Sequence, residues 1–196
     1  MPRVRSLLIA LAALGLVAAC TPTPSVTASP TPVLQCTPES GGTPAPCSKA
    51  DHDAMVAKDA LYAEAEAVYR KYFAEDVAMI RLGGADALTP GLIETTMGDF
   101  QAQSLDLYRS WKQRGYRMTS GDFVIAYIRR NVGESVGGSL VSLLVCADGS
   151  SAKLVEGGQP NAGTNLFLMG KYFFARDGAA LKIAGSKEKA GTECFA

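Results

Sequence analysis

The run DFQAQSLDLYRSWKQRGYRMTSGDFVIAYIRRN, residues 99–131, changes its apolar period halfway along. Up to Arg114, Phe100, Ser104, Leu107 and Trp111 share one helical stripe, with Leu105 and Tyr108 beside it, which predicts a helix over 99–114. Lys112 and Arg114 sit where the negative end of a helix dipole favours cations, and Gly115 suits the left-handed position that follows a helix. Beyond Gly115 the period is two. Strands are expected at 116–119, 122–131, 139–147, 152–156, 166–175 and 180–184, with Asp148-Gly149 and Asp177-Gly178 as the clearest hairpin signals. The second and third of these are apolar on both faces, so the sheet needs helices on one side and must curl on the other. Helices first and antiparallel strands afterwards define an α+β domain.

Working back towards the amino terminus, residues 48–82 contain neither Gly nor Pro. Leu61, Ala65, Val68 and Tyr72 recur there at helical spacing, with Tyr62, Tyr69 and Phe73 widening the stripe. A long amphipathic helix is expected, its aromatic residues serving as core. Ser48 with Asp51 reads as a capping pair, and Glu66 with Arg70 as a well-oriented i, i+4 pair. Gly83-Gly84 ends it, Thr89-Pro90 starts a second helix, and Gly98 divides that from the third.

Seven of the ten prolines, at 22, 24, 30, 32, 38, 44 and 46, fall between Thr21 and Cys47. Proline fixes φ and removes a donor, so the tract is expected to be an extended, solvated tether over residues 20–48, ahead of a folded domain over 49–196. Fully polyproline-like, Thr21 to Gln35 would span about 45 Å.

Ahead of the tether, Arg3 and Arg5 precede an unbroken apolar and small-residue run from Leu7 to Ala19. It is shorter than the roughly 20 residues of a permanent span and suits a secretory signal over residues 1–19. The Leu16-Val17-Ala18-Ala19-Cys20 sequence closing it resembles the lipobox of bacterial lipoproteins. That resemblance implies cleavage before Cys20, diacylglycerol on its sulfur, and a mature chain held outside the cytoplasm on the cell membrane. One acyl chain binds a bilayer marginally and a second makes the anchor stable. Removing the leader leaves 17 basic against 19 acidic residues, a net charge of −2, which excludes the basic footprint of a nucleic-acid partner.

Four further cysteines, Cys36, Cys47, Cys146 and Cys194, make an even set for an exported chain, and they permit three connectivities. Cys36 with Cys47, closing a short collar, and Cys146 with Cys194, tying a core strand to the tail, is the favoured one.

The long first helix, the TMGD step at 96–99, the RGYR helix end at 114–117, the strand closing on VCAD at 145–148 and the terminal cysteine together resemble the NTF2-like lipoproteins of high-GC Gram-positive bacteria. The resemblance covers roughly residues 50–196. It implies a cone-like roll, a bent antiparallel sheet around the long helix with a pocket at its wide end, and a stabilising Cys146–Cys194 bridge. It says nearly nothing of activity, because that fold hosts enzymes and binding modules alike.

The chemical inventory is thin. The one histidine, His52, lies between Asp51 and Asp53 at a helix start, which reads as a solvated acidic first turn and not as a metal set. No HExxH, CxxC, GxSxG or phosphate loop occurs. Asp122 and Tyr127 are the nominal acid and phenol for proton-transfer chemistry, but Asp122 suits a turn and Tyr127 the core, and Asp148 suits its hairpin. No catalytic residue, metal ligand or cofactor is assigned. The expectation is a non-enzymatic envelope module that binds a small apolar ligand or an envelope protein. The alternative is a tethered isomerase or cyclase, which requires a carboxylate inside the roll.

Overall fold

The computed structural model describes residues 32–161, 166–191 and 193–194, so the expected leader and lipobox, with Cys20, lie outside the described residues. The chain divides into a unit of residues 1–32 and one of 33–196. The elements described here belong to the second.

In chain order they are β1 (Gln35–Cys36), β2 (Ala45–Pro46), α1 (Lys49–Leu82), α2 (Pro90–Thr95), α3 (Gly98–Arg114), β3 (Arg117–Ser120), β4 (Val124–Arg130), β5 (Val141–Asp148), β6 (Lys153–Glu156), β7 (Gln159–Pro160), β8 (Phe167–Asp177) and β9 (Ala180–Gly191). The architecture is α+β with antiparallel, open sheets: β4-β5-β8-β9, β3-β6-β7, and the small β1-β2 ladder.

At 34 residues α1 is about 50 Å long at 1.5 Å per residue. Its start follows from Ser48, whose hydroxyl accepts the Asp51 N–H at 3.1 Å and donates to the Asp51 carboxylate at 2.6 Å. Glu66 and Arg70 pair at 2.7 Å on the wet face. Gly83, at φ 84°, ends the helix with its N–H shared between the Met79 and Ile80 carbonyls.

Gly84 needs both of its glycine properties. Its φ is +83°, and a Cβ there would sit 2.7 Å from the Lys112 nitrogen and 3.1 Å from the Trp111 Cβ, inside the last turns of α3. The absent side chain lets the turn after α1 lie directly on α3. Gly84→Ala is expected to cost about 2 kcal/mol from the left-handed penalty and the forced separation. A urea midpoint within error of the wild type would show that this approach is not tight.

Strand alternation sorts the main sheet into two faces. Val141, Leu143, Val145 and Ala147 of β5 stand opposite Phe174, Tyr172, Gly170 and Leu168 of β8. Val141, Leu143, Val145, Tyr172 and Phe174 share one buried cluster with Tyr62, Tyr69 and Tyr72 of α1 and Phe100 and Tyr108 of α3. Val77, Ile80, Met118, Phe123, Ala152 and Leu154 form a second cluster under the smaller sheet. Phe73 and Trp111 pack against both.

Three expectations need amending. The last strand runs to Gly191, not Ala184, because β8 offers a partner to every residue of the charged segment Lys187 to Lys189. In α3 Phe100 and Ser104 are buried as expected, but the fully covered residue is Tyr108, while Leu107 is 45 % exposed. Proline content in the tether does not prevent a ladder: Gln35 pairs with Pro46 and Cys36 with Ala45, and Tyr62 and Met55 of α1 hold the loop through Glu39 and the Thr37 N–H.

Cys36 is bonded to Cys47 and Cys146 to Cys194, with Cα atoms 5.7 and 5.9 Å apart. These are the favoured pairs. Two such bonds belong to a protein that matures in an oxidising compartment. Among the described residues no helix is long and apolar enough to cross a membrane.

Candidate functional site

Where the two clusters meet, packing is incomplete. A cavity of about 360 Å³ opens between α1, α3 and the helix-facing side of the main sheet. Eight of its eighteen lining residues are aromatic, among them Tyr69, Tyr72 and Phe73 of α1, Phe100 and Trp111 of α3, and Tyr172 of β8. The rings support one another: Tyr69 lies 4.7 Å and Tyr72 6.0 Å from Tyr172, Phe100 5.6 Å from Tyr72, and Phe100 meets Tyr172 edge-on at 6.4 Å. Leu107, at its exposed position, belongs to the cavity lining rather than the core.

Asp76 supplies the polar centre. Protein packs around it, yet part of its surface stays open to the cavity. The buried Tyr108 hydroxyl donates to Asp76 Oδ1 at 2.7 Å. Burial pushes the Asp76 carboxyl up to about 6; the Tyr108 bond opposes that rise and the Glu188 charge adds to it. Burial likewise pushes the phenols of Tyr69, Tyr72, Tyr108 and Tyr172 far up, so they remain neutral donors at any physiological pH. Glu188, exposed on β9 and paired in register with Gly170, stands at the rim, with Ser186 opposite Tyr172. The arrangement can accept a hydrogen bond or a proton at Asp76 and hold an apolar body between rings.

The structure does not gather the nominal residues of the sequence reading. Asp122 pairs with Arg81 at 2.9 Å and accepts the Phe123 N–H, as a strand-entry residue does. Tyr127 faces Cys146 on the side of the sheet away from the helices, stacked against Arg129 at 4.5 Å. Asp148-Gly149 does not make the expected hairpin, because β5 and β6 belong to different sheets; Asp148 accepts the Ser150 N–H in the turn between them, and the Ser150 hydroxyl together with that N–H keeps its carboxyl below the usual range. Beside His52, Lys49 pairs with Asp53 at 2.5 Å and Ser48 engages Asp51; among the described residues no metal-binding group is found.

Asp76 was the residue missed, and its signal is positional. It follows Tyr69 by seven and Tyr72 by four, so it lies on the buried stripe of α1 and not on its charged face.

No family model matches the chain, and no curated protein matches it. Among solved structures, the crystal structure of the intermembrane space region of the chloroplast protein ARC6 is similar at 16 % identity and a TM-score of 0.46, over 65 % of this chain and 95 % of that one. At that level nothing is carried from it to this protein.

Proposed function

We propose that this protein is an NTF2-like, lipid-anchored module of the cell envelope whose cavity around Asp76 binds a small, mainly apolar ligand. The observation that carries this reading is the cavity: about 360 Å³ of unfilled space with eight aromatic residues in its lining and one acid, Asp76, held from behind by the Tyr108 hydroxyl. A fold meant only to present a surface gains nothing from such a gap, which sacrifices contact energy on every wall. The LVAAC sequence supports the anchor, the two disulfides support export, and a long helix followed by antiparallel strands supports the NTF2-like roll.

Native mass spectrometry of the protein released from its own envelope tests this. The wild type is expected to carry a small-molecule mass beyond its acylated chain, and Ser104→Trp, which fills the cavity, to lack it. Equal masses in the two, with no ligand, would remove the binding reading.

One observation favours a second reading, a tethered proton-transfer enzyme: a carboxyl poised near pH 6 inside an apolar cavity beside a neutral phenol. In that chemistry Asp76 takes a proton from carbon and a tyrosine hydroxyl donates to the oxygen on which charge develops. Solvent-deuterium exchange into a bound ketone, lost in Asp76→Asn, is the result expected of an enzyme and not of a carrier.

A further inference from the structure

We infer that the ligand of this cavity is an organic cation, an ammonium group carrying an apolar body. The inference rests on the binding reading above and specifies its chemistry. Two carboxylates from different elements, Asp76 of α1 and Glu188 of β9, border the cavity, and its described lining contains no Lys, Arg or His. Half of the remaining sixteen lining residues are aromatic, including Trp111, Tyr116 and Tyr172.

Three ligand classes meet this lining differently. An anion is repelled by both carboxylates. A neutral apolar body gains from the rings but strips water from Asp76 without replacing it. A cation satisfies both parts, because the faces of Trp, Tyr and Phe rings carry negative potential, Asp76 attracts it from the wall and Glu188 more weakly from the exposed rim.

The sheet keeps its own cations away from this space. Strand alternation puts Lys171 and Lys187 on the opposite face from Tyr172 and Ser186. There Glu134 binds both, Lys171 at 2.5 Å and Lys187 at 2.8 Å, and Lys187 also lies 5.6 Å from the centre of the Phe173 ring. Among the described residues of the cavity lining, no side-chain cation stands beside Asp76.

Trp111 is the only tryptophan of the chain and lines the cavity, so its fluorescence reports occupancy directly. The full mature chain is titrated with benzyltrimethylammonium and with its neutral carbon isostere, neopentylbenzene. The cation is expected to bind at least ~10-fold more tightly, the advantage of a desolvated cation–π contact plus a carboxylate. Asp76→Asn should weaken the cation by ~10-fold or more and leave the neutral compound within ~2-fold, which also shows that the variant is folded. Glu188→Gln, at the exposed rim, should weaken the cation by ~3-fold. Equal affinity for the two compounds, or a cation indifferent to Asp76→Asn, overturns the charge assignment and leaves the binding site standing. Binding of neither compound overturns both.

Discussion

Asp76→Asn should stabilise the protein by about 3 kcal/mol at pH 7.5 and leave it nearly unchanged at pH 4. Below the unfolded value near 3.9 the Asp76 carboxyl is protonated in both states, and its contribution is fully present. As pH rises towards the folded value of about 6, the unfolded chain ionises first and the folded state loses ground. Above pH 6 the loss is complete, and two pKa units correspond to about 3 kcal/mol. Asparagine does not titrate, and its oxygen still accepts the Tyr108 hydroxyl. The groups facing Asp76 are Tyr69 and Tyr72 on its own helix, Tyr108 from α3, Tyr172 from β8 and Glu188 from β9. The phenols do not ionise in this range. Glu134, held down to about 2 by Lys171 and Lys187, acts oppositely and below about pH 4.5, so the interval from 4.5 to 6.5 isolates Asp76. Urea denaturation of both proteins across that interval measures the difference. Parallel curves would mean that Asp76 ionises freely in the folded protein.

Loss of the Cys146–Cys194 bond, in a Cys146→Ala, Cys194→Ala protein, should cost about 4 kcal/mol, the chain-entropy value for a separation of 48 residues. For a domain of this size that lowers Tm by roughly 10 °C. Cys146 is fully buried in β5 and pairs with Met169 of β8, so the bond fastens the segment beyond β9 to the middle of the sheet and not to its edge. Calorimetry of the double variant decides it. A Tm shift under about 3 °C would show that the tail already holds in the unbridged protein.

Helix limits are legible in the sequence because Gly83-Gly84 and Gly115 leave little choice of stopping place, and the strands because period two follows at once. The far half of β9 is not legible. Ser186 to Lys189 is charged and short of β-branched residues, and only the ladder offered by Phe167 to Tyr172 makes it a strand. Glu188 is therefore brought to the cavity rim by tertiary pairing that no local pattern announces. The cavity is hidden for a related reason. Tyr69, Tyr72 and Phe73 read as core, and they are packed, but a stripe of large rings does not reveal whether opposing rings close over the gap. Asp76 was within reach: an acid in register with tyrosines on a buried stripe contradicts its surroundings, and such contradictions concentrate at functional positions. An ionised group that lowers stability is retained where it does something else.

The collar at Cys36 and Cys47 has a mechanical consequence. Tension applied on the amino-terminal side of Val33 reaches Cys36 and crosses to Cys47 through the sulfurs, so residues 37–46, roughly 35 Å of contour, bear no load. The pull arrives at Ser48 and is directed along the backbone of α1, while the small ladder and the Glu39 contact with Tyr62 stay slack.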